Sequence, residues 1–165
     1  MWVESNSEWV KWNISMLQYE LNKRKQQIAE TYSIMWGWNL SGSTPGNYST
    51  LGQEEAVMLD DGTRATYDYL GEGSSVGAGA NASAYLGVIA NLETPDQYKG
   101  VATAVGATVS VGDVGLTVGY FWDSSKPPLT PGNVQGIMVG YAPGASASVW
   151  NSISVYNLTW QNKQR

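Results

Sequence analysis

From Gly100 to Trp122 the chain carries a single charged side chain, Asp113, beside Gly112 at the middle of the stretch. A two-residue turn at Gly112-Asp113 fixes the register of everything on either side. Val111 then faces Val114, Val109 faces Leu116, Ala107 faces Val118, Val105 faces Tyr120 and Thr103 faces Trp122. The opposite side pairs Ser110 with Gly115, Thr108 with Thr117, Gly106 with Gly119 and Ala104 with Phe121. One face is continuously apolar; the other is small and weakly polar. A slip of one residue would exchange the two faces, so the register is strongly specified.

Such a hairpin has two uses. Its apolar face can cover a core while the small face admits a second layer. Alternatively it inserts into a membrane, apolar toward lipid and small toward a lumen. Strands of 11 and 9 residues match the roughly 9–11 that a tilted strand needs to cross hydrocarbon. Tyr120, Phe121 and Trp122 at one end would form part of an aromatic girdle. The residues expected to face membrane or partner are Val105, Val109, Leu116, Val118, Tyr120 and Trp122.

The absence of charge extends further, since none occurs from Pro127 to Asn162. Sheets in water usually guard their edges with charged residues. Here the edges must be covered, closed into a barrel, paired with another chain, or placed in lipid.

The expected organisation is an N-terminal amphipathic helix in section 1–36, a loop or linker over 37–53, an antiparallel hairpin domain over 54–160, and a polar tail over 161–165. The helix reads over 5–35. Ser5 and Glu8 have capping-box spacing, and Val10, Ile14, Leu17, Leu21, Ile28 and Met35 form the stripe of a helix packed on, or plugging, the sheet. Val10, Ile14, Leu17 and Leu21 are expected to be buried together. Further hairpins are expected at Asp60-Asp61-Gly62, joining Glu55–Leu59 to Arg64–Leu70, and at Pro143-Gly144, joining Val134–Ala142 to Ala145–Trp160. Ser74–Asn91 reads as a Gly/Ala/Ser strand region. The fold class is mainly β: an antiparallel barrel or strongly curved meander sheet with one long helix.

The chain of 165 residues is of single-domain size. Its net charge of −5 arises between residues 54 and 72, and no basic patch exists to neutralise phosphates, so nucleic acid is not an expected partner. With neither Cys nor His, disulfides, Cys/His metal sites, Cys nucleophiles and His-based triads are excluded. The first residues lack the basic and apolar regions of a signal peptide. Glu54, Glu55, Asp60, Asp61, Asp68 and Glu72 could supply paired carboxylates or oxygen ligands, but turn chemistry and solvated charge account for them. No catalytic, metal or cofactor site is therefore expected, and the chain reads as a non-enzyme. Eight Trp and ten Tyr against one Phe suit membrane interfaces, protein interfaces and sugar platforms alike.

Thr66-Tyr67-Asp68-Tyr69-Leu70-Gly71 resembles the Tyr-Asp-x-x-Gly core of a bacterial YD/Rhs repeat, with Glu72 where that repeat carries Arg. Ser74–Trp160 resembles the Gly-rich C-terminal regions of bacterial secreted and polymorphic-toxin-type proteins. The resemblance implies a bacterial exported or delivered module and carries over no active-site residue. The function expected is membrane engagement, pore-forming or toxin-like, with lipid and a homo-oligomer as partners. The alternatives are a binding or structural β-domain that self-associates through its uncharged sheet, and a small-ligand-binding barrel.

Overall fold

The computed structural model describes residues 14–20, 22 and 32–162. Residues 14–20 are helical. The rest forms seven antiparallel strands: β1 (Tyr32–Thr44), β2 (Asn47–Met58), β3 (Arg64–Ala90), β4 (Gly100–Gly112), β5 (Val114–Asp123), β6 (Gln135–Tyr141) and β7 (Gly144–Asn162), with a single 3₁₀ turn, Pro95–Tyr98, between β3 and β4. Strands β3, β6, β5, β4 and β7 close into a barrel, and β1 and β2 add along the other edge of β3.

The pairings contain one motif twice. β1 and β2 form a hairpin around Thr44↔Asn47. The 27-residue β3 then pairs its first half with β2, Val57↔Arg64 to Tyr48↔Gly73, and its second half with β1, Ser43↔Gly79 to Tyr32↔Ala90. To reach both strands β3 bends round the hairpin tip, where the Gly46 amide donates to the Ser75 carbonyl at 2.9 Å. The β4–β5 hairpin is wrapped in the same way. β6 lies on β5, Trp122↔Gln135 to Leu116↔Tyr141, and β7 lies on β4, Gly112↔Gly144 to Gly100↔Tyr156. The bend again touches the tip, with the Ala142 amide donating to the Gly115 carbonyl at 3.1 Å.

The two wrapped hairpins are joined along their long strands. β3 pairs with β6 from Ala90↔Gln135 to Ala84↔Tyr141, and with β7 from Asn81↔Gly144 to Arg64↔Asn162, with one irregularity at Thr66/Tyr67. This corrects the hairpin expected at Pro143-Gly144. β6 and β7 are consecutive stretches of one line that runs antiparallel to β3. Pro143 has no amide to give to a ladder and Gly144 takes φ +141°, so the pair makes a bend and not a reversal.

The long helix is also corrected. Residues 32–53, placed by sequence partly in the helix and partly in the linker, form β1 and most of β2, with Met35 of the expected stripe buried in β1, while the strand expected at Glu55–Leu59 is the end of β2. The β1–β2 turn is Pro45-Gly46, with Gly46 at φ +90°. Among the described residues the helix covers 14–20 and 22, and Leu17 is 70 % exposed. Ile14 is exposed as well, so these two members of the stripe are not buried; Val10, Leu21 and Ile28 lie outside the described residues. The Asp60–Thr63 turn does join β2 to β3, but with a positive φ only at Gly62. Asp61 instead holds the turn by accepting from the Thr63 amide at 2.8 Å and the Thr63 hydroxyl at 2.7 Å. This is a wider turn than a two-residue hairpin loop.

The buried face of the barrel is the less aliphatic one. In β7 the alternation buries Ser146, Ser148, Trp150, Ser152, Ser154 and Tyr156 and turns Val149, Ile153 and Val155 outward. Elsewhere the interior holds Met35, Met58, Tyr67, Tyr69, Tyr85, Ile89 and Phe121. Tyr48 of the first wrapped hairpin stacks on Trp150 of the second, with centroids 5.1 Å apart and planes at 6°. Tyr69 stacks on Tyr156 at 4.9 Å. Tyr98, carried in by the 3₁₀ turn, packs edge-on against Tyr67 and Phe121.

Hydroxyls fill the gaps between rings. Thr108 and Thr117 are hydrogen-bonded at 3.0 Å, and the Trp150 indole N–H donates to Thr108 Oγ1 at 3.1 Å. Gly106 and Gly119, paired across β4 and β5, leave the space in which the Trp150 ring lies.

Candidate functional site

The β4–β5 register derived from the sequence holds at every pair, from Val111↔Val114 to Thr103↔Trp122. Val105, Val109, Leu116, Val118, Tyr120 and Trp122 all fall on the outer face. Val109 is 62 % exposed and Leu116 55 %. The face that sequence alone could assign to a core is therefore uncovered among the described residues.

Neighbouring strands extend it. Val118 lies beside Val139 and Tyr120 beside Ile137 across β5–β6, and Leu86 and Val88 continue from there across β6–β3. On the other side Val105 and Val109 meet the outer row of β7. Across the β3–β1 pairing stand Ile34, Trp36, Trp38 and Leu40, all exposed. Monomers in water rarely present contiguous apolar patches beyond a few hundred Å²; this one runs over β1, the second half of β3, β6, β5, β4 and part of β7.

The surface is also concave. Leu86, Val88, Val105, Val118, Tyr120, Ile137, Val139 and Val149 surround a groove of about 700 Å³, floored by the backbone of Gly87, Gly106 and Gly119. A smaller apolar hollow shares Val88, Tyr120 and Ile137 with it and extends it to Tyr32, the first residue of β1. At this end Tyr120 stacks on Trp122, centroids 5.5 Å apart, and the Tyr120 hydroxyl donates to Gln135 Oε1. Both rings thus present an apolar body with a polar edge.

One sector of the outer surface is polar. β2 and the first half of β3 turn Gln53, Glu55, Arg64, Asp68 and Glu72 outward. Arg64 pairs with Glu55 at 2.6 Å and lies over the Trp36 ring, 5.7 Å from its centroid. The Gln53 amide donates to Asp68 at 2.8 Å. The apolar surface is therefore broadest as an arc, and it is narrowed in this sector to the exposed, facing pair Leu51 and Leu70. No helix among the described residues is long and apolar enough to cross a membrane.

The second feature was misassigned by sequence reasoning. Glu54, expected to be solvated like its neighbours, is only 2 % exposed and lies inside the barrel. The signal was present, because Glu54 shares its alternation with Tyr48, Thr50, Ala56 and Met58, all of them buried. The Tyr85 hydroxyl donates to Glu54 Oε2 at 2.9 Å and lies 3.1 Å from the Tyr69 hydroxyl. Glu54 Oε1 and the Tyr98 hydroxyl have no well-placed partner. Burial raises the Glu54 pKa to about 7, against the opposing effect of the Tyr98 and Tyr85 hydroxyls beside it. Burial, helped by the Glu54 charge, likewise holds Tyr69, Tyr85, Tyr98 and Tyr156 well above the usual phenol range.

Fold and surface define a small closed antiparallel β-barrel with a hydroxyl- and tyrosine-filled interior and an apolar outer arc. No protein-family model, curated protein or solved structure matches the chain.

Proposed function

We propose that this protein is a non-enzymatic membrane-engaging module that seats its apolar arc in lipid and keeps the β2–β3 sector in water. The observation that carries this reading is the inverted alternation: most aliphatic side chains and the indoles of Trp36 and Trp38 outside, and Ser, Thr and Tyr inside with Trp150. That is the pattern of sheets whose outer solvent is hydrocarbon. Seating side-on follows from the polar sector, because a lipid-facing Arg such as Arg64 costs roughly 2–4 kcal/mol at mid-membrane and each carboxylate adds a smaller cost. Tyr120 and Trp122 suit the boundary between acyl chains and headgroups. The resemblance to toxin-type regions fits a delivered module of this kind.

The test is liposome flotation of the wild type and of Val118→Lys, with near-UV circular dichroism to establish that the variant keeps its fold. Wild-type protein is expected to float, and a lysine on the seated face to weaken binding at least tenfold, about 1.4 kcal/mol. A wild type that stays at the bottom of the gradient for neutral and anionic vesicles alike overturns the reading. Self-association through the same arc is the competing reading, favoured by its continuity across six neighbouring strand segments. It is supported if sedimentation shows a concentration-dependent dimer that Val118→Lys abolishes while no vesicle binding is seen.

A further inference from the structure

All but one of the titratable side chains around Glu54 stand on strands. Tyr48 shares β2 with Glu54, Tyr67, Tyr69 and Tyr85 belong to β3, and Tyr156 belongs to β7. Tyr98 alone is carried by the Pro95–Tyr98 turn, within the connection of residues 91–99 between β3 and β4. Pro95, Tyr98 and Leu92 of that connection are buried. We propose that residues 91–99 are a hinged lid over this end of the barrel, closed while Glu54 is protonated and lifted when Glu54 ionises.

The connection can move as a unit because its hydrogen bonds are mostly its own. Gln97 Oε1 accepts from the Glu93 and Thr94 amides, the Gln97 amide donates to the Thr94 carbonyl, and Lys99 pairs with Asp96. Among the described residues, two hydrogen bonds tie it to the barrel. The Tyr67 hydroxyl donates to the Pro95 carbonyl at 2.8 Å, and the Asn91 side-chain amide donates to the Asn133 carbonyl at 2.7 Å. Lifting it breaks no strand ladder, since β3 pairs up to Ala90 and β4 from Gly100. Both ends also have the backbone of a hinge, with Asn91 at φ 61° and Gly100 at φ +123°. Hinges are commonly a few element-terminal residues that absorb a change in backbone angle.

The driving force is the Glu54 carboxylate. Its Oε2 accepts from Tyr85, while its Oε1 and the neighbouring Tyr98 hydroxyl have no well-placed partner. β1 backs it with Gly37 and brings no titratable side chain to the interior. The groups facing it from β2, β3, β7 and the turn are phenols, and burial keeps Tyr48, Tyr67, Tyr69, Tyr85, Tyr98 and Tyr156 protonated. Asp96 is paired with Lys99 at the surface. A buried carboxylate with no cation beside it is costly until water reaches it. The strands admit water only by breaking their ladders; the lid admits it by giving up two hydrogen bonds. The closed state holds the Glu54 proton up to about pH 7, against 4.5 for the solvated group. Opening therefore grows as pH rises between those values and levels off above them.

The chain has no cysteine, so a single introduced thiol reports on one place. Leu92→Cys puts it on the lid, and Ser148→Cys puts it inside β7 toward the opposite end of the barrel; both positions are buried. Each full-length variant is reacted with a maleimide from pH 5.5 to 8.5. Each rate is divided by that of the same cysteine in a Glu54→Gln background, which removes the reagent's own pH dependence. The Leu92→Cys ratio is expected to rise about tenfold over the range. At pH 8.5 Ser148→Cys is expected to react at least about tenfold more slowly than Leu92→Cys, because a local opening is reached more often than global unfolding. A ratio at Leu92→Cys that does not change with pH overturns the lid. So does Ser148→Cys reacting as fast as Leu92→Cys, since the opening is then global.

Leu92→Cys shortens a buried side chain and could itself loosen the lid, so the cysteine-free chain supplies a second measure. Tryptic cleavage after Lys99 at pH 8.5 is expected to be severalfold slower in Glu54→Gln than in the wild type, and equal rates overturn the proposal. The lid is independent of the membrane reading: it is measured in water, and flotation bears on that reading alone.

Discussion

Glu54 shows how far one side chain can depart from its neighbours in sequence. Glu55 beside it is ion-paired at the surface with Arg64, while Glu54 points into a cluster of phenols with no cation among its partners. Its pKa is about 7 in the folded chain against 4.5 for the free group. Between these values the folded state binds more protons than the unfolded one, so stability falls as pH rises. The contribution is complete below the lower value and lost above the upper, roughly 3 kcal/mol over the window. Thermal melts of the wild type should therefore move to lower temperature between pH 5 and 8, and Glu54→Gln should flatten that slope. An unchanged slope in the variant would assign it to other groups. Gly106 makes a complementary point about space. A Cβ there would meet the Trp150 ring and the Val118 carbonyl, so Gly106→Val should destabilise the fold by about 1–3 kcal/mol, measurable by denaturant titration.

At the level of elements, the β4–β5 hairpin and the β6–β7 line differ in how local their pairing is. The hairpin turns at Gly112, whose φ of +60° suits the first position of a two-residue turn, and every pair then follows from the turn. β6 and β7 take their register from β3, more than forty residues earlier at its closest pair, Ala90↔Gln135. Nothing within Val134–Trp160 reveals that partner, and Pro143-Gly144 looks like any hairpin turn. Two cysteine pairs distinguish the arrangements. Leu86→Cys with Val139→Cys spans β3–β6, and Val76→Cys with Val149→Cys spans β3–β7. Both disulfides should form in one molecule under mild oxidation, because directly opposed residues bring their Cβ atoms within about 5.5 Å. A β6–β7 hairpin would allow at most one of them.

For the whole molecule, the duplicated wrapping of hairpins matters more than the strand count. The paired bends of β3 and β7 meet from Ser74↔Asn151 to Asn81↔Gly144, and the interior between the two wrapped hairpins is packed with Tyr48, Trp150, Tyr69, Tyr156 and Tyr98. A single copy therefore has no path through its middle, and on the proposed reading it would meet lipid with its outside alone. Vesicles loaded with a self-quenching dye should bind the protein and retain the dye at protein-to-lipid ratios where it is monomeric. Release under those conditions would show that the barrel opens or that copies assemble a conduit between them.

The sequence by itself determined the period-2 alternation, the two faces of Val101–Trp122 and their register, and the predominance of antiparallel β. These depend on turn chemistry and near-neighbour sterics, which a short window contains. It also carried unread signals: Tyr32, Ile34, Trp36, Trp38 and Leu40 alternate with smaller residues on one side of Pro45-Gly46, which is a strand pattern running into a turn. Only the tertiary structure decided which face is inside. Alternation defines two faces and is indifferent to their exchange; the choice is made when β3 pairs with β6 and β7, and the ring closes with Glu54, the serines and the tyrosines within it. That closure joins segments far apart in the chain, and it leaves the aliphatic face to whatever solvent or lipid lies outside.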